Sequence, residues 1–320
     1  MKRLYAIGEA LIDFIPSAAD TPLEEVAAFS PKVGGAPCSV AAIYALLGGK
    51  STVLTAVGKD AFGNKIMNTL RECGVDVSRT VRKSEAKTGL AFVGLDQSGE
   101  RSFSFYRSPS ADLLYSEADL PDTLDDCAVL HFCSVALMES PMKRAHRRAI
   151  ALAKASGALV SFDVNLRFSL WEDRGALYQA VWEFLPMADI VKLSEEEVAF
   201  VTGETSLVRA AKMLLFHCRY VIVTQGEKGA TLFYLDNTPE DYGMREVCVG
   251  VPETVRAIDT TGAGDAFIGT FLYFLNAAPV PLDAMRSDDF AALLSYANTV
   301  AASTTQYPGA IESYRKALSK

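Results

Sequence analysis

A glycine-rich turn that ends in an aspartate is the part of the sequence best suited to chemistry. Residues 259–267 read DTTGAGDAF, and the apolar run after them predicts a helix that begins at this turn. Free N–H groups at the start of a helix bind anions, and glycine lets a phosphate oxygen come close to the backbone. The helix dipole would keep Asp265 ionised, so that its carboxylate could accept a proton from an attacking alcohol. An anion hole beside such a base suits phosphoryl transfer.

Simpler interpretations of this turn exist. An aspartate in the first turn of a helix often only stabilises the helix, and a glycine turn is often only a turn. The stretch is not a Walker A loop, because no Lys-Ser or Lys-Thr follows the glycines. It is not GxGxxG either, because Phe267 stands at the third glycine position. The first predicted strand also lacks GxGxxG after it, which disfavours a nucleotide-binding dehydrogenase.

The elements around the turn predict an α/β fold. Short apolar runs predict strands over residues 4–7, 52–57, 129–133, 159–162, 190–193 and 220–224. Helical patterns lie between them, over residues 36–47, 62–72, 142–155 and 207–216. This alternation predicts a mainly parallel, twisted sheet with helices on both faces. Residues 88–95 and 101–106 predict a hairpin, which with residues 12–32 would form a small separate sheet, either a lid or an ordinary decoration.

Composition restricts the compartment and the partners. Half of the 320 residues are apolar, which is enough to bury a large core. The 31 basic residues against 39 acidic ones give a net charge of −8, which disfavours a protein that wraps duplex nucleic acid. The cysteines form no CxxC, the N-terminus does not resemble a signal peptide, and the longest apolar run, residues 266–275, is too short to cross a bilayer. These features predict a reduced, cytoplasmic protein with no nucleic-acid or membrane partner.

Five motifs in order resemble the PfkB family of ribokinase-like carbohydrate kinases. They are GEALID at residues 8–13, GGAP at 34–37, GKDAFG at 58–63, VTQGEKGA at 223–230 and DTTGAGDAF at 259–267. In relatives these are the first strand with a sugar-binding aspartate, the diglycine hinge, the N-terminal signature, the nucleotide-side strand and loop, and the catalytic signature. The resemblance implies a single domain over residues 1–320, with a nine-stranded or similar α/β core and a β lid from about 12–32 and 88–111.

The resemblance also implies roles for individual residues. Asp265 would be the catalytic base, and the anion hole would be formed by Gly262, Ala263 and Gly264. The sugar would be bound by Asp13, Gly34, Gly35, Ser39, Tyr106, Arg107, Asn165 and Arg167. The nucleotide would be bound by Lys192, Thr224, Gly226, Gly229 and Asn298. With ATP as donor, Mg²⁺ would be held through water by Glu197, and K⁺ by Asp259, Thr261, Thr304, Gly309 and Ser313.

Two positions depart from the family pattern. Ser39 and Ser194 stand where relatives commonly carry asparagine, whose amide donates two hydrogen bonds where a hydroxyl donates one. Ser39 therefore bears on the choice of sugar, and Ser194 on the NxxE element, which keeps its acid as Glu197. Lid sheets of relatives often pair, and an exposed strand edge favours pairing, so we also expect a homodimer through the lid.

Three stretches resemble fructokinases in particular. They are the GEALIDF opening, FYRSPSADLL at residues 105–114, and DVNLR at 163–167 followed by Leu-Trp at 170–171. This resemblance favours transfer of the γ-phosphate of ATP to a primary hydroxyl of fructose, giving fructose 6-phosphate. A 2-keto-3-deoxygluconate kinase and an aminoimidazole riboside kinase are the alternatives within the family. A catalytically silent sugar-binding relative is disfavoured because Asp265 and the anion-hole residues are retained.

Overall fold

The computed structural model of the protein describes residues 1–18, 20–95, 101–236, 243–251 and 255–319. Its strands are β1 (Arg3–Ile7), β2 (Leu11–Pro16), β3 (Phe29–Gly34), β4 (Ser51–Gly58), β5 (Thr80–Lys83), β6 (Gly89–Leu95), β7 (Arg101–Tyr106), β8 (Cys127–Cys133), β9 (Leu159–Asp163), β10 (Ile190–Ser194), β11 (Tyr220–Thr224), β12 (Ala230–Asp236) and β13 (Gly243–Val249). Its α-helices are α1 (Ala36–Leu46), α2 (Ala61–Glu72), α3 (Pro141–Ala155), α4 (Arg174–Phe184), α5 (Glu195–Thr202), α6 (Leu207–Leu214), α7 (Ala263–Ala277), α8 (Ser287–Thr304) and α9 (Ile311–Leu318).

Nine of the described strands form the central sheet, in the order β13-β12-β11-β10-β9-β8-β1-β4-β5. Adjacent strands from β11 to β5 run parallel, while β12 and β13 pair antiparallel. The six strands predicted from short apolar runs are β1, β4, β8, β9, β10 and β11, so the mainly parallel sheet is confirmed. Strand β4 shows why apolar runs predict these strands. All its residues are buried, as in a strand that is covered on both faces.

Helices cover both faces of this sheet, as predicted. Successive side chains of a strand point to opposite faces, so neighbouring residues belong to different apolar clusters. Val53 packs in a cluster with residues of α1, α7 and α8. The next residue, Leu54, packs in a cluster with residues of α3, α4 and α6. The sheet therefore separates two cores, and α1 and α7 lie on the same side of it.

A second, smaller sheet stands apart from the core, in the order β3-β2-β6-β7. Strand β2 pairs antiparallel with β3 and parallel with β6, and β6 pairs antiparallel with β7. The small separate sheet predicted from residues 12–32 and 88–106 is thus present, while the predicted hairpin turn at residues 96–100 lies outside the described residues. Phe14 and Phe92 stack at 4.8 Å between ring centroids across β2 and β6. That this small sheet acts as a lid stays a prediction.

The carboxyl ends of the parallel strands bring polar residues to one edge of the central sheet. Glu9 follows β1, Asp163 ends β9, and Thr224 ends β11. Ligands of open α/β sheets bind beyond this edge, so the topology places the site before any side chain is considered. Within the described ranges, no helix is long and apolar enough to cross a membrane.

Candidate active site

Two cavities meet at the glycine turn that precedes α7. The first has a volume of about 490 Å³ and is lined mostly by polar and charged side chains, among them Asp265. The second has a volume of about 740 Å³ and is lined mostly by small and apolar residues. Thr260 and Gly264 line both cavities. A ligand in one cavity can therefore contact a ligand in the other beside this turn.

The turn has the geometry of an anion hole. Gly262 caps α7 with φ 75° and ψ 2°, a left-handed conformation that glycine adopts without strain. Its carbonyl accepts the N–H of Ala266 at 2.8 Å, and the N–H of Ala263 donates to the Thr260 carbonyl at 3.2 Å. Among the described residues, no protein acceptor pairs with the N–H groups of Gly264 and Asp265. The N–H of Gly262 likewise has no protein acceptor among the described residues, so three N–H groups of the turn are available to an anion, whereas that of the predicted anion-hole residue Ala263 is already paired.

The carboxyl of Asp265 is a stronger base than the sequence led us to expect. We predicted that the helix dipole would keep it ionised. Desolvation by burial and then the charge of Asp163 instead raise the pKa of Asp265 to about 8, although Lys192 and Arg167 act in the opposite direction. The prediction was therefore wrong in sign. A pKa near the working pH is nevertheless what an efficient general base requires.

A buried ion pair lies beside Asp265 in the first cavity. The Nζ of Lys192 is 2.9 Å from each carboxylate oxygen of Asp163, and both side chains are almost fully buried. Burial alone would lower the pKa of Lys192, but the charges of Asp163, Glu197 and Asp265 raise it overall, so the side chain stays an ammonium. We predicted Lys192 at the nucleotide, and it lines the first cavity near Gly264. The pair thus places one fixed cation at the wall that the two cavities share.

The diglycine is required by close packing around Asp13. A Cβ on Gly34 would lie 2.2 Å from Oδ2 of Asp13, so only glycine leaves room for this carboxylate in the first cavity. Gly35 has φ 103°, and its Cβ would lie 2.4 Å from the carbonyl oxygen of Glu9. The structure therefore brings the predicted sugar-binding residues Asp13, Gly34 and Gly35 together at the start of α1.

Three further predicted sugar-binding residues line the first cavity: Ser39, Asn165 and Arg167. Ser39 is buried, and its hydroxyl makes no hydrogen bond within the described chain. Asn165 adopts φ 43°, an uncommon conformation for a residue other than glycine and one that is often found at functional sites. The Nη1 of Arg167 donates to the Leu166 carbonyl at 2.8 Å, and its charge lowers the pKa of Asp265.

Two other predicted sugar-binding residues are not brought to the cavity. Successive residues of a strand face opposite ways, so Phe105 lines the cavity while Tyr106, 65% exposed, packs on the far side against Phe92. Arg107 is buried behind the cavity wall, where it pairs with Asp112 and donates to a backbone carbonyl. A buried guanidinium needs such a partner, and the carboxylate five residues later in the chain supplies it. Neither residue is among those that line the first cavity, and a role of either in sugar binding stays a prediction.

The second cavity collects most of the predicted nucleotide residues. Thr224, Gly226, Gly229 and Asn298 line it, together with the anion-hole residue Ala263. The Nδ2 of Asn298 donates to the carbonyls of residues 249 and 250 at 2.8 and 3.3 Å, so this amide also fixes the chain beyond β13. Apolar side chains complete the wall, which suits the flat base of a nucleotide; they are Val251, Val255, Ala257, Phe267 and Ala301.

A match over nearly the whole chain decides the family. The family model described as pfkB family carbohydrate kinase matches residues 1–317. The chain belongs to this family. The kinase is therefore a phosphotransferase with an alcohol group as acceptor, and the resemblance seen in the five motifs is confirmed.

Relatives of this pfkB kinase cover almost its full length. Fructokinase-1 of Oryza sativa subsp. japonica is 39% identical over 314 residues, which are 97% of this chain and 94% of the relative. The fructokinase of Xylella fastidiosa with bound ATP has a TM-score of 0.82 at 31% identity, covering 99% of this chain and 97% of that chain. A double mutant of the Vibrio cholerae O395 fructokinase, bound to fructose, ADP and a potassium ion, has a TM-score of 0.84 at 34% identity, covering 100% of this chain and 97% of that chain.

Glu197, the predicted magnesium residue of the kinase, accepts hydrogen bonds from the backbone. Glu197 accepts the N–H of Leu166 at 2.6 Å with Oε1 and the N–H of Ser194 at 2.8 Å with Oε2. The hydroxyl of Ser194 in turn accepts the backbone N–H of Glu197, the third residue of α5, so the two residues form a capping box at the start of this helix. Each oxygen of Glu197 keeps a second lone pair for a water molecule. Among the described residues there is no group of three or more His, Cys, Asp or Glu side chains that could hold a metal ion.

The predicted K⁺ residues lie on three neighbouring segments of the kinase. Oδ1 of Asp259 accepts the backbone N–H of Thr261 at 2.8 Å, and Oδ2 accepts the N–H of Gly309 at 2.8 Å. Thr304 and Ser313 are buried on α8 and α9, and their hydroxyls donate to backbone carbonyls. Their oxygen lone pairs remain for a cation. Oxygen donors of this kind fit K⁺ chemically, and the assignment stays a prediction.

Sequence reasoning missed part of the site. Glu9 is buried and lines the first cavity, and its Oε1 accepts the N–H of Ala36 at 2.9 Å. It thereby caps α1, whose N-cap residue Gly35 has no side chain. Burial raises the pKa of Glu9. Its position directly after a parallel strand was a signal that could have found it. The other lining residues that were missed are Leu11, Ala36, Phe105, Val135, Asp163, Glu196, Thr260 and Ala310.

Proposed function

We propose that this kinase transfers the γ-phosphate of ATP to the primary hydroxyl of fructose and produces fructose 6-phosphate. The observation that carries the proposal is the glycine turn shared by two cavities, with Asp265 facing the polar one. This arrangement gives the acceptor and the donor separate sites that meet where the phosphoryl group must pass. The similarity to fructokinases along nearly the whole chain supports fructose as the acceptor.

The residues of the chain divide the work of an in-line transfer. Asp13 and Gly35 hold sugar hydroxyls, with the carboxylate as acceptor. Asp265 takes the proton of the primary hydroxyl while the oxygen of this hydroxyl bonds to the γ-phosphorus. At the same time the bond between the γ-phosphorus and the leaving oxygen of ADP breaks. The N–H groups of Gly264 and Asp265, with the nearby ammonium of Lys192, stabilise the negative charge on the moving group.

Two cations fit the donor set described above. Mg²⁺ neutralises phosphate charge when it is bound, and Glu197 would hold one of its water molecules. K⁺ would be held by the oxygens around Asp259, beside the start of the glycine turn. Binding there would fix the position of that turn relative to α9.

The charge of the first cavity favours a neutral sugar over a sugar acid. Arg107, which could have met a carboxylate, is paired with Asp112 behind the wall. The described lining contains Arg167 and Lys192 as bases, and Lys192 is already paired. The acids of the same lining are Glu9, Asp13, Asp163, Glu196 and Asp265. Even with Glu9 and Asp265 protonated, as their raised pKa values favour, the three remaining acids outnumber the two bases, so the lining would repel the carboxylate of 2-keto-3-deoxygluconate, which is a specific reason to prefer fructose.

We expect kcat/KM to be highest for fructose, by about tenfold or more over each competitor. The measurement is ADP release from Mg-ATP with potassium present, with fructose, 2-keto-3-deoxygluconate, ribose, glucose and aminoimidazole riboside offered separately. The Asp265→Asn protein, purified in parallel, gives the background of contaminating kinases. A preference for the keto-acid would refute the charge argument and make Arg167 the candidate ligand of its carboxylate.

We further propose a homodimer formed through the small sheet. Strands β3 and β7 are its two edges, and unpaired edges are prone to pair with another chain. The exposed Tyr106 lies on β7 next to the half-buried Phe92. Sedimentation equilibrium should give twice the mass of one chain, and Tyr106→Glu should shift the protein toward the mass of one chain. A monomer at all concentrations would refute this proposal and leave the kinase activity untouched.

A further inference from the structure

A phenol that the mechanism above does not use lies against the anion hole. Tyr314 belongs to α9, and its side chain is fully buried. Its hydroxyl donates to the carbonyl of Gly262 at 2.7 Å. The same carbonyl accepts the N–H of Ala266 at 2.8 Å, so both of its lone pairs are occupied. The peptide group between Gly262 and Ala263 is therefore fixed from two sides.

Helix α9 packs tightly on this turn. A Cβ on Gly262 would lie 2.4 Å from the Tyr314 hydroxyl oxygen and 2.7 Å from the Cβ of Ala310. The left-handed conformation of Gly262 and this contact both exclude a side chain there. Because a left-handed turn sets the direction in which α7 begins, Tyr314 helps to set where the N–H groups of Gly264 and Asp265 point.

A second hydroxyl connects this phenol to the sugar side. Ser39 lies in the first turn of α1, lines the first cavity and is 1% exposed. Its Oγ makes no hydrogen bond among the described residues, an unfavourable state for a buried hydroxyl that a ligand group would relieve. Helix α1, which carries Ser39, packs against α9, and Ala310, directly before α9, lines the same cavity as Ser39. Burial and the charge of Asp265 raise the pKa of Tyr314, and the Ser39 side chain lowers it.

We propose that Tyr314 is a positioning residue that links occupancy of the sugar cavity to the geometry of the anion hole. The proposal rests on the proposed function. Since the phenol donates to Gly262, its oxygen is able to accept from Ser39, and Ser39 is able to accept from a sugar hydroxyl. The resulting chain runs from the sugar through Ser39 and Tyr314 to the Gly262 carbonyl. Each bond polarises the next, so a bound sugar strengthens the hold on the turn.

Tyr314→Phe tests the proposal because it removes the hydroxyl and keeps the ring. We expect kcat with fructose to fall about tenfold, since one hydrogen bond that acts in the transition state is lost, while KM for fructose changes little. Tyr115→Phe is the matched control. Tyr115 is fully buried, and its hydroxyl donates to the Asp119 carbonyl at 3.2 Å, away from the residues that line the two cavities. Its kcat should equal that of the wild type.

The link to the sugar requires a second substitution. Ser39→Ala should raise KM for fructose and lower kcat, and its effect on kcat should disappear in the Tyr314→Phe background, because the chain is already broken. A lower melting temperature with unchanged kcat in Tyr314→Phe would overturn the positioning role, and additive effects on kcat would overturn the link. If the wild type phosphorylates no fructose, the proposed function fails and the link falls with it. Wild-type activity beside an unaffected Tyr314→Phe protein refutes both the positioning role and the link, and leaves the proposed function standing.

Discussion

Asp265→Asn is expected to lower kcat by about 10²–10⁴-fold, the range in which general base catalysis contributes. The amide has almost the same shape as the carboxyl but does not accept the proton of the attacking hydroxyl. The N–H groups of Gly264 and Asp265 belong to the backbone and are retained, so Mg-ATP should bind with nearly unchanged affinity. ADP release with fructose measures the first effect, and calorimetric titration with a non-hydrolysable ATP analogue measures the second.

The pH dependence of the wild type separates loss of the base from damage to the site. Because the pKa of Asp265 is raised to about 8, the base form is depleted below that pH. With both substrates far below saturation, kcat/KM should fall about tenfold per pH unit below this value and level off above it. The residual kcat/KM of Asp265→Asn should not show this fall below pH 8. Near-normal turnover in the variant, or the same limb in both proteins, would contradict the assignment of Asp265.

The core was predictable from the sequence because the burial of its strands and helices shows in the pattern of apolar residues within each segment. A parallel strand covered on both faces is a short apolar run, and β4 is such a run from end to end. The helices predicted over residues 36–47 and 62–72 correspond to α1 and α2 within one residue at each end. Glycines at 35, 229 and 262 all adopt positive φ, which is the conformational reason why the motifs contain them.

The fine structure of the site depends on contacts between distant segments and was predicted less well. Tyr106 and Phe105 differ by one position, and only the pleat of β7 in the second sheet decides which of them faces the cavity. Arg107 could be assigned to a ligand until Asp112 was seen beside it. The direction of the Asp265 pKa was predicted wrongly for the same reason. The helix dipole is local, whereas the burial that raises this pKa most depends on the whole fold, and Asp163, the next cause, comes from β9, about a hundred residues earlier in the chain.

The last prediction concerns the ion pair that sequence motifs did not reveal. Lys192→Met leaves the Asp163 carboxylate buried without its partner, which should lower the free energy of unfolding by about 3–5 kcal/mol. It also removes a cation from the wall shared by the two cavities, so kcat should fall by about 10²-fold or more, as when one preorganised donor to the transition state is lost. Chemical denaturation measures the stability, and ADP release with fructose measures the rate.

A double variant separates the two roles of Lys192. Asp163→Asn with Lys192→Met replaces the buried pair by neutral groups and should recover most of the stability, because an uncharged pair has no unmatched charge to bury. Its turnover should stay low if the cation acts on the moving phosphoryl group. Lys143→Met is the control for loss of a buried ammonium elsewhere. Lys143, on α3, pairs with Glu183, on α4, at 3.1 Å, and its substitution should affect stability alone. Recovery of turnover together with stability in the double variant would mean that Lys192 only maintains the fold of the cavity wall.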